Sequence, residues 1–340
     1  MKRCKKCILP ESYPGIRFNQ IGVCNYCRTY KKMECKGKVE LDKFLKSFRN
    51  EGRNFDIVVG ISGGKDSTYL LYYLAKVCGL RVLAYSADNS FVSQEAKASM
   101  KEMVNILNVK LFIEEHDYLK NCLRSNFSSW LRKPSPGMIS MLCCGCRLGM
   151  YRGLLRCAKK YKIPMVAIGS TKLERILHKR IFLTTNPLGK KIANIKSLSL
   201  LLGLLYEALR NPFYFLNPFI SIMYVKDYLY FFHLETMRKL FYPNQRILYL
   251  YDYIKWDEKS IISTIKKEFD LRALGWHSDC KVALLKKYIL KKTVGFTDQD
   301  EVLSKMIREN MITREEALER LGEDKVPKKL VVEFLTKLML

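Results

Sequence analysis

The sequence predicts an α/β fold: a doubly wound parallel sheet with an N-terminal cysteine knob and a helical C-terminal region. Three observations predict it. Short apolar runs recur between residues 57 and 168, each bounded by polar or turn residues. Apolar residues at helical spacing fill most of the intervals between those runs. Two Cys-x-x-Cys pairs precede the first run.

The elements follow in chain order. Residues 1–35 form the knob, with Pro10, Pro14, Gly15 and Gly22 as turn signals. Ile57-Val58-Val59-Gly60-Ile61 has the unbroken apolarity of a strand buried on both faces. Leu70, Leu71, Leu74 and Val77 mark the buried stripe of a helix over 67–78. Val82-Leu83-Ala84-Tyr85 is a second strand, and Ala96, Met100, Met103, Val104 and Leu107 a second helical stripe. Leu111-Phe112-Ile113 is a third strand. A helix over about 147–161 precedes a later strand, Pro164-Met165-Val166-Ala167-Ile168. The α/β domain is thus expected over 54–180, an aromatic and basic helical insertion over 185–250, and a helical region over 251–340. In the last, Thr313-Arg314-Glu315-Glu316 reads as a capping box opening a helix at 314–321, with Gly322 stopping it.

Composition narrows the function classes. With 340 residues, 48% of them apolar, 18 Gly and 10 Pro, the chain can bury a core, which excludes collagen-like and disordered classes. Lys and Arg number 60 against 33 Asp and Glu, a net charge of +27, so polyanions are the expected partners: nucleic acid, nucleotide sugars or an anionic membrane face. The uncharged stretch 211–225 contains Pro212 and Pro218 and is too short to span a bilayer, which leaves contact with a membrane surface open. Twelve cysteines follow a start, Met1-Lys2-Arg3-Cys4, that leads into no apolar segment. A reducing cytoplasm is expected, where paired cysteines are metal ligands or reactive thiols.

The densest chemistry is Ser62-Gly63-Gly64-Lys65-Asp66-Ser67, between the first strand and the first helix. Two glycines let the backbone approach a phosphate, and a helix N-terminus offers free N–H groups. Lys65 adds charge; Ser62 and Ser67 add hydroxyls. Asp66 after the lysine departs from the Walker A pattern. Ala87-Asp88-Asn89 and Gly169-Ser170-Thr171 end two further strands, at the edge where such sheets bind ligands. In the knob, Cys4, Cys7, Cys24 and Cys27 have the spacing of a closed four-thiolate Zn²⁺ site, structural rather than catalytic.

The Ser62–Ser67 segment resembles the PP-loop of the ATP pyrophosphatase superfamily, also called adenine nucleotide alpha hydrolase-like. The resemblance implies ATP and Mg²⁺ as cofactors, cleavage between the α and β phosphates, and adenylation of a substrate oxygen. Ser62, Gly63, Gly64, Lys65, Asp66, Ser67, Asp88, Gly169 and Ser170 are then the nucleotide-binding residues, Lys65 facing the charge on pyrophosphate and Asp66 or Asp88 helping to hold Mg²⁺.

The knob itself, with Cys7-Ile8-Leu9-Pro10, Tyr13-Pro14-Gly15-Ile16, Phe18 and Gly22-Val23-Cys24, is similar to the N-terminus of the N-acetyl sugar amidotransferase family of surface-polysaccharide biosynthesis. The likeness continues through Cys143-x-x-Cys146-Arg147-x-Gly149, Tyr251-Asp252-Tyr253-Ile254 and Ile312-Thr313-Arg314-Glu315-Glu316-Ala317. It implies that the acetamido oxygen of a nucleotide-linked N-acetyl sugar is adenylated and replaced by ammonia-derived nitrogen. Partner glutaminase and ammonia-channel subunits would supply the ammonia. Cys143, Cys144, Cys146 and Cys280 exceed what that chemistry needs. A Cys-x-x-Cys about eighty residues after the loop, with a distant third cysteine, resembles the iron–sulfur tRNA thiolases of the same superfamily, which hold a 4Fe–4S cluster on three thiolates. Cys143, Cys146 and Cys280 therefore stand open between buried apolar thiols, cluster ligands, and zinc ligands or reactive thiols. Lys65, Asp66 and these three cysteines are the candidate catalytic residues. His277 with Asp279 is a further acid–base or metal candidate. The aromatics and basic residues of 185–250, including Phe213, Tyr214, Lys226 and Arg238, fit a helical core, a lid, or a surface that docks a partner.

Overall fold

The computed structural model describes residues 1–49, 52–115, 117–139, 142–184, 196–216, 222, 239–270, 279–323, 329, 331, 332, 335 and 336. Its centre is a five-stranded sheet of β1 (Ile57–Gly60), β2 (Val82–Asp88), β3 (Lys110–Glu115), β4 (Met165–Ile168) and β5 (Arg246–Tyr249). The order is β3-β2-β1-β4-β5 and every pairing is parallel. Alternation along each strand sends side chains to two cores. Val58, Leu83, Tyr85 and Val166 point into one; Ile57, Val59, Ala84 and Met165 point into the other.

Helices cover both faces, as a parallel sheet requires. The first core is closed by α5 (Asp117–Arg132), by α7 (Cys144–Lys160) and by α12 (Lys281–Val294), through Leu123, Leu154 and Leu285. The second is closed by α2 (Lys38–Lys46), α3 (Lys65–Tyr72), α4 (Gln94–Ile106), α11 (Glu258–Phe269) and α13 (Asp298–Arg308), through Leu41, Leu70, Met100, Ile261 and Val302. The short α1 (Asn25–Arg28) belongs to the knob, α6 (Pro136–Ile139), α8 (His178–Thr184) and α10 (Phe213–Leu216) join the first core through Ile139, Leu183 and Tyr214, and α9 (Lys196–Arg210) packs against α8 and α6. Of the capping box expected at Thr313, one bond is present, Thr313 Oγ1 accepting from the Glu316 amide at 3.1 Å, and α14 (Arg314–Glu323) runs past Gly322 rather than stopping there.

Two boundaries differ from the sequence reading. β5 lies inside the stretch expected to be helical, so the sheet reaches residue 249. The knob is also no separate body. Phe296 is buried among Cys4, Leu9 and Tyr13, and the Tyr13 hydroxyl donates to Glu301 of α13 at 2.6 Å. Glu301 is in turn met by His178 Nδ1 at 2.9 Å and Lys305 Nζ at 2.8 Å. Burial pushes the Glu301 carboxyl up, but the hydrogen bond from His178 and the Lys305 ammonium hold it at about 2. Among the described residues, no helix is long and apolar enough to cross a membrane. Much of the aromatic stretch, including Lys226 and Arg238, lies outside the described residues, as do Trp276 and His277.

Candidate active site

Strands β1–β3 extend the sheet in one direction and β4–β5 in the other, so the switch point falls between β1 and β4. A crevice opens there at the carboxyl ends of the strands, the usual ligand position of such sheets. The Ser62–Ser67 loop lies in it, its last three residues forming the first turn of α3. Gly63 has φ +79°, and a Cβ on it would lie 2.5 Å from the Ala96 carbonyl oxygen of α4. Glycine is therefore required twice over, by backbone conformation and by space. Ser67 Oγ receives the Ser62 amide at 3.2 Å and donates to the Gly64 carbonyl at 3.0 Å, which pins the loop shape. From β4, Gly169 comes close enough that a Cβ there would lie 3.0 Å from the Ser67 amide nitrogen. Gly169 and Ser170, together with the loop, line a 280 Å³ cavity.

Its charges are arranged around that loop. Lys65 Nζ is buried, 3.3 Å from Asp66 and 3.6 Å from Glu258, and Trp256 Nε1 donates to Asp66 at 2.6 Å. Asp279 stands beside Gly64, with its carboxylate 3.6 Å from the place a Gly64 Cβ would take. Burial raises the Asp279 pKa against the hydrogen bond it makes with Ser62. Glu174 lines the same cavity, and burial, then the Asp66 charge, push it up to about 7. Asp66, Glu174 and Asp279 are hard oxygen donors of the kind Mg²⁺ takes alongside phosphate oxygens and water. Asp88 is placed otherwise. Its carboxylate pairs with Lys97 and accepts from the Ser90 amide, and it lines neither cavity described in this section. Sequence reasoning missed Glu174, whose only local signal is its capping box with Thr171, and named Asp279 only as a companion of His277.

A larger cavity of 990 Å³ continues from Ser62 and shares Ser170, Glu174, Asp279, Arg147, Met150 and Tyr151 with the first. Cys143, Cys146 and Cys280 all line it. They come together because the segment around Cys280 pairs with the loop after β2: Val92 bridges Cys280, and the Ser93 amide donates to the Asp279 carbonyl at 2.9 Å. Asn89 sits between the thiols, its Nδ2 3.2 Å from Cys146 Sγ and 3.7 Å from Cys280 Sγ. Burial pushes the Cys280 thiol up to about 11 and raises Cys146 further, each by more than the hydrogen bond from Asn89 lowers it. Thiols kept neutral by burial fit either apolar packing or ligands that deprotonate on binding a metal centre.

The knob is the one thiol group among the described residues whose ligand atoms all lie within 4.8 Å of one another: Cys4, Cys7, Cys24 and Cys27, all buried. Four soft donors at this spacing fit one tetrahedral ion such as Zn²⁺. Arg308 of α13 supplies outer donors, Nε to Cys27 Sγ and Nη2 to Cys7 Sγ, both at 3.4 Å.

No family model matches the chain. Over 135 residues it is 31% identical to a tRNA-5-methyluridine(54) 2-sulfurtransferase of Thermotoga maritima, covering 39% of this chain and 42% of the relative. An uncharacterized protein of Methanocaldococcus jannaschii is 28% identical over 116 residues, 34% of this chain and 40% of the relative. The chain thus spans about two fifths of the length of the curated relatives it matches. Among solved structures, an NMN synthetase from Francisella tularensis aligns with 84% of this chain and 90% of its own, at 14% identity and a TM-score of 0.40. The parallel sheet with the Ser62–Ser67 loop at its switch point has the fold expected from the sequence, and the 135-residue likeness is to a tRNA sulfurtransferase.

Proposed function

We propose that the protein is an ATP-dependent enzyme that forms AMP and pyrophosphate while activating a carbonyl-type oxygen of its acceptor. The observation that carries this reading is the continuity of the two cavities, which share Ser62, Glu174 and Asp279. One compartment cradles phosphates at the loop; the other has room for an acceptor beside them. The acceptor oxygen attacks the α phosphorus, the bond to the bridging oxygen breaks, and pyrophosphate leaves. A nucleophile then attacks the activated carbon and AMP departs with the former acceptor oxygen. Loop amides at the start of α3 and the ammonium of Lys65 oppose the charge that develops on the phosphates. Mg²⁺ held near Asp66, Glu174 and Asp279 would neutralise the phosphates on entry.

The finer reading is the amidotransferase one. The acceptor is a nucleotide-linked N-acetyl sugar in surface-polysaccharide synthesis, and ammonia supplied by partner glutaminase and channel subunits is the nucleophile. Its support is the wording of the knob and of the later segments named above. The test incubates full-length protein with Mg·ATP, ammonium and UDP-N-acetylglucosamine, a representative acceptor, and separates nucleotides. AMP rising with acceptor is expected; ADP as product, or no AMP with any N-acetyl sugar nucleotide, sinks the reading.

A second reading rests on a specific observation: Cys143, Cys146 and Cys280 line one cavity, two of them bridged by Asn89. Three thiolates there fit a 4Fe–4S cluster with sulfur as the nucleophile, and the 31% identical relative is a tRNA sulfurtransferase. Iron and acid-labile sulfide near four each per chain, on protein purified without oxygen, would select this reading. Zinc near one per chain with no iron would discard it.

A further inference from the structure

Helix α9 reverses the pattern of an ordinary surface helix, whose apolar stripe faces the core. The side that meets the protein carries Gly203, Leu204 and Glu207. A Cβ on Gly203 would overlap the Leu183 carbonyl of α8, and Glu207, 7% exposed, lies against α6, where a Cβ on Gly137 would come within 2.7 Å of its Oε1. Of these three, only Leu204 adds apolar packing to the first core. The opposite side is apolar. Leu201, Leu202, Leu205, Tyr206 and Leu209 recur at helical spacing and all are exposed, Leu209 at 76%.

Cations border this face. Asn211, just past the helix, is buried, and its Nδ2 donates to the carbonyls of Ser129 at 2.8 Å and Lys133 at 3.3 Å. That pins the end of α9 to the end of α5 and brings the exposed Leu131, Arg132 and Lys133 beside it. The Arg132 guanidinium lies 4.5 Å from the centre of the Phe213 ring, and that of Arg210 lies 5.7 Å from the centre of Tyr206. In residues 118–139 and 196–216 the sole acid is the buried Glu207, against Lys120, Arg124, Arg132, Lys133, Lys196 and Arg210.

We propose that α9 is a membrane-docking helix, whose exposed leucine face rests in the headgroup layer of an anionic lipid surface with Arg132, Lys133 and Arg210 at its border. A contiguous apolar face in water marks contact with another apolar phase. Its composition favours lipid over protein: leucine is under-represented among the residues that anchor protein interfaces and common on the buried face of interfacial helices. A second copy would bring the same cations together. A polynucleotide would meet the cations and leave the leucines in water. With 15 residues, α9 is short of a span and suits lying in the interface plane. Leu183, against which Gly203 packs, also lines the larger cavity, so the docked face backs onto that compartment.

The test floats full-length protein with vesicles of equal parts phosphatidylcholine and phosphatidylglycerol, and with vesicles of phosphatidylcholine alone. Wild type should float with the first and far less with the second. Leu205→Ser/Leu209→Ser should weaken binding to the anionic vesicles at least tenfold, because two leucines no longer leave water. Both side chains are exposed in the free protein, so its melting temperature should match wild type. Arg132→Gln/Lys133→Gln should weaken binding about 25-fold, at about fivefold per basic residue near an anionic surface. Tyr206→Trp supplies an independent readout: its emission, above that of the wild-type tryptophans, should shift to the blue on adding vesicles and be quenched by brominated lipid.

No flotation with anionic vesicles would overturn the proposal. So would flotation that the leucine variant leaves unchanged, which would assign it to the charge of +27 alone. A dimer in solution that the leucine variant converts to monomer would also overturn it, giving the face to a second copy.

Discussion

At the level of single residues, Gly63 and Glu174 carry the sharpest consequences. Gly63 holds a left-handed backbone against the Ala96 carbonyl, so Gly63→Ala adds conformational strain of about 1–2 kcal/mol. It also forces the loop away from α4, a cost that comes on top. A melting temperature lower by several degrees, with at least tenfold weaker methylene-ATP binding, is expected by calorimetry and titration; wild-type values in both would refute the loop geometry. Glu174 makes a prediction about pH. Its folded value of about 7 lies above the ordinary 4.5, so the folded state holds that proton more tightly than the unfolded chain. The stability this provides is complete below 4.5 and is lost as pH rises through 7. Glu174→Gln should therefore melt near wild type at pH 5 and progressively higher than wild type toward pH 8. A difference independent of pH would show that Glu174 is not the buried acid described. Glu174 was not legible beforehand, because a single Glu carries no spacing signal, and Asp279 was named only as a companion of His277. The loop was legible, because six residues and their strand–helix setting speak together.

At the level of elements, α13 ties the molecule together. Its Asp298 meets Lys286 and His178 at the cavity, its Glu301 meets Tyr13 and His178, and its Arg308 meets two knob thiols. Arg308 offsets part of the negative charge that four thiolates leave around a dication. Arg308→Met should weaken zinc retention about 10–100-fold, the usual range for loss of an outer donor. Competition with a chromophoric chelator measures it, and unchanged retention would mean that the arginine serves packing alone. β1, β2, β3 and β4 were legible as apolar runs. β5 was not: its four residues, Arg246-Ile247-Leu248-Tyr249, follow a long aromatic and basic stretch, and the strand exists because β4 offers it a parallel edge. The gathering of Cys143, Cys146 and Cys280 was legible only as a suspicion of spacing. Their meeting depends on the bridge between Val92 and Cys280, a pairing 188 residues apart that no local pattern encodes.

At the level of the whole molecule, the charge of +27 and the buried Lys65 at the loop make separate claims on phosphates. A net field from 60 basic side chains attracts any phosphate polymer and is screened by salt, with a Debye length of about 10 Å at 0.1 M. Ammonium groups within a cavity are screened far less. Raising salt from 50 to 200 mM should thus release an unspecific polyanion such as heparin steeply, by a hundredfold or more if six or so contacts are lost on the scale known for nucleic-acid phosphates. Methylene-ATP held at the Ser62–Ser67 loop beside the buried Lys65 should weaken by less than tenfold over the same range. Parallel salt slopes for the two ligands would mean that both are bound by the outer surface. The nucleotide would then be held by the general field of the chain, and the Ser62–Ser67 loop would not be its site.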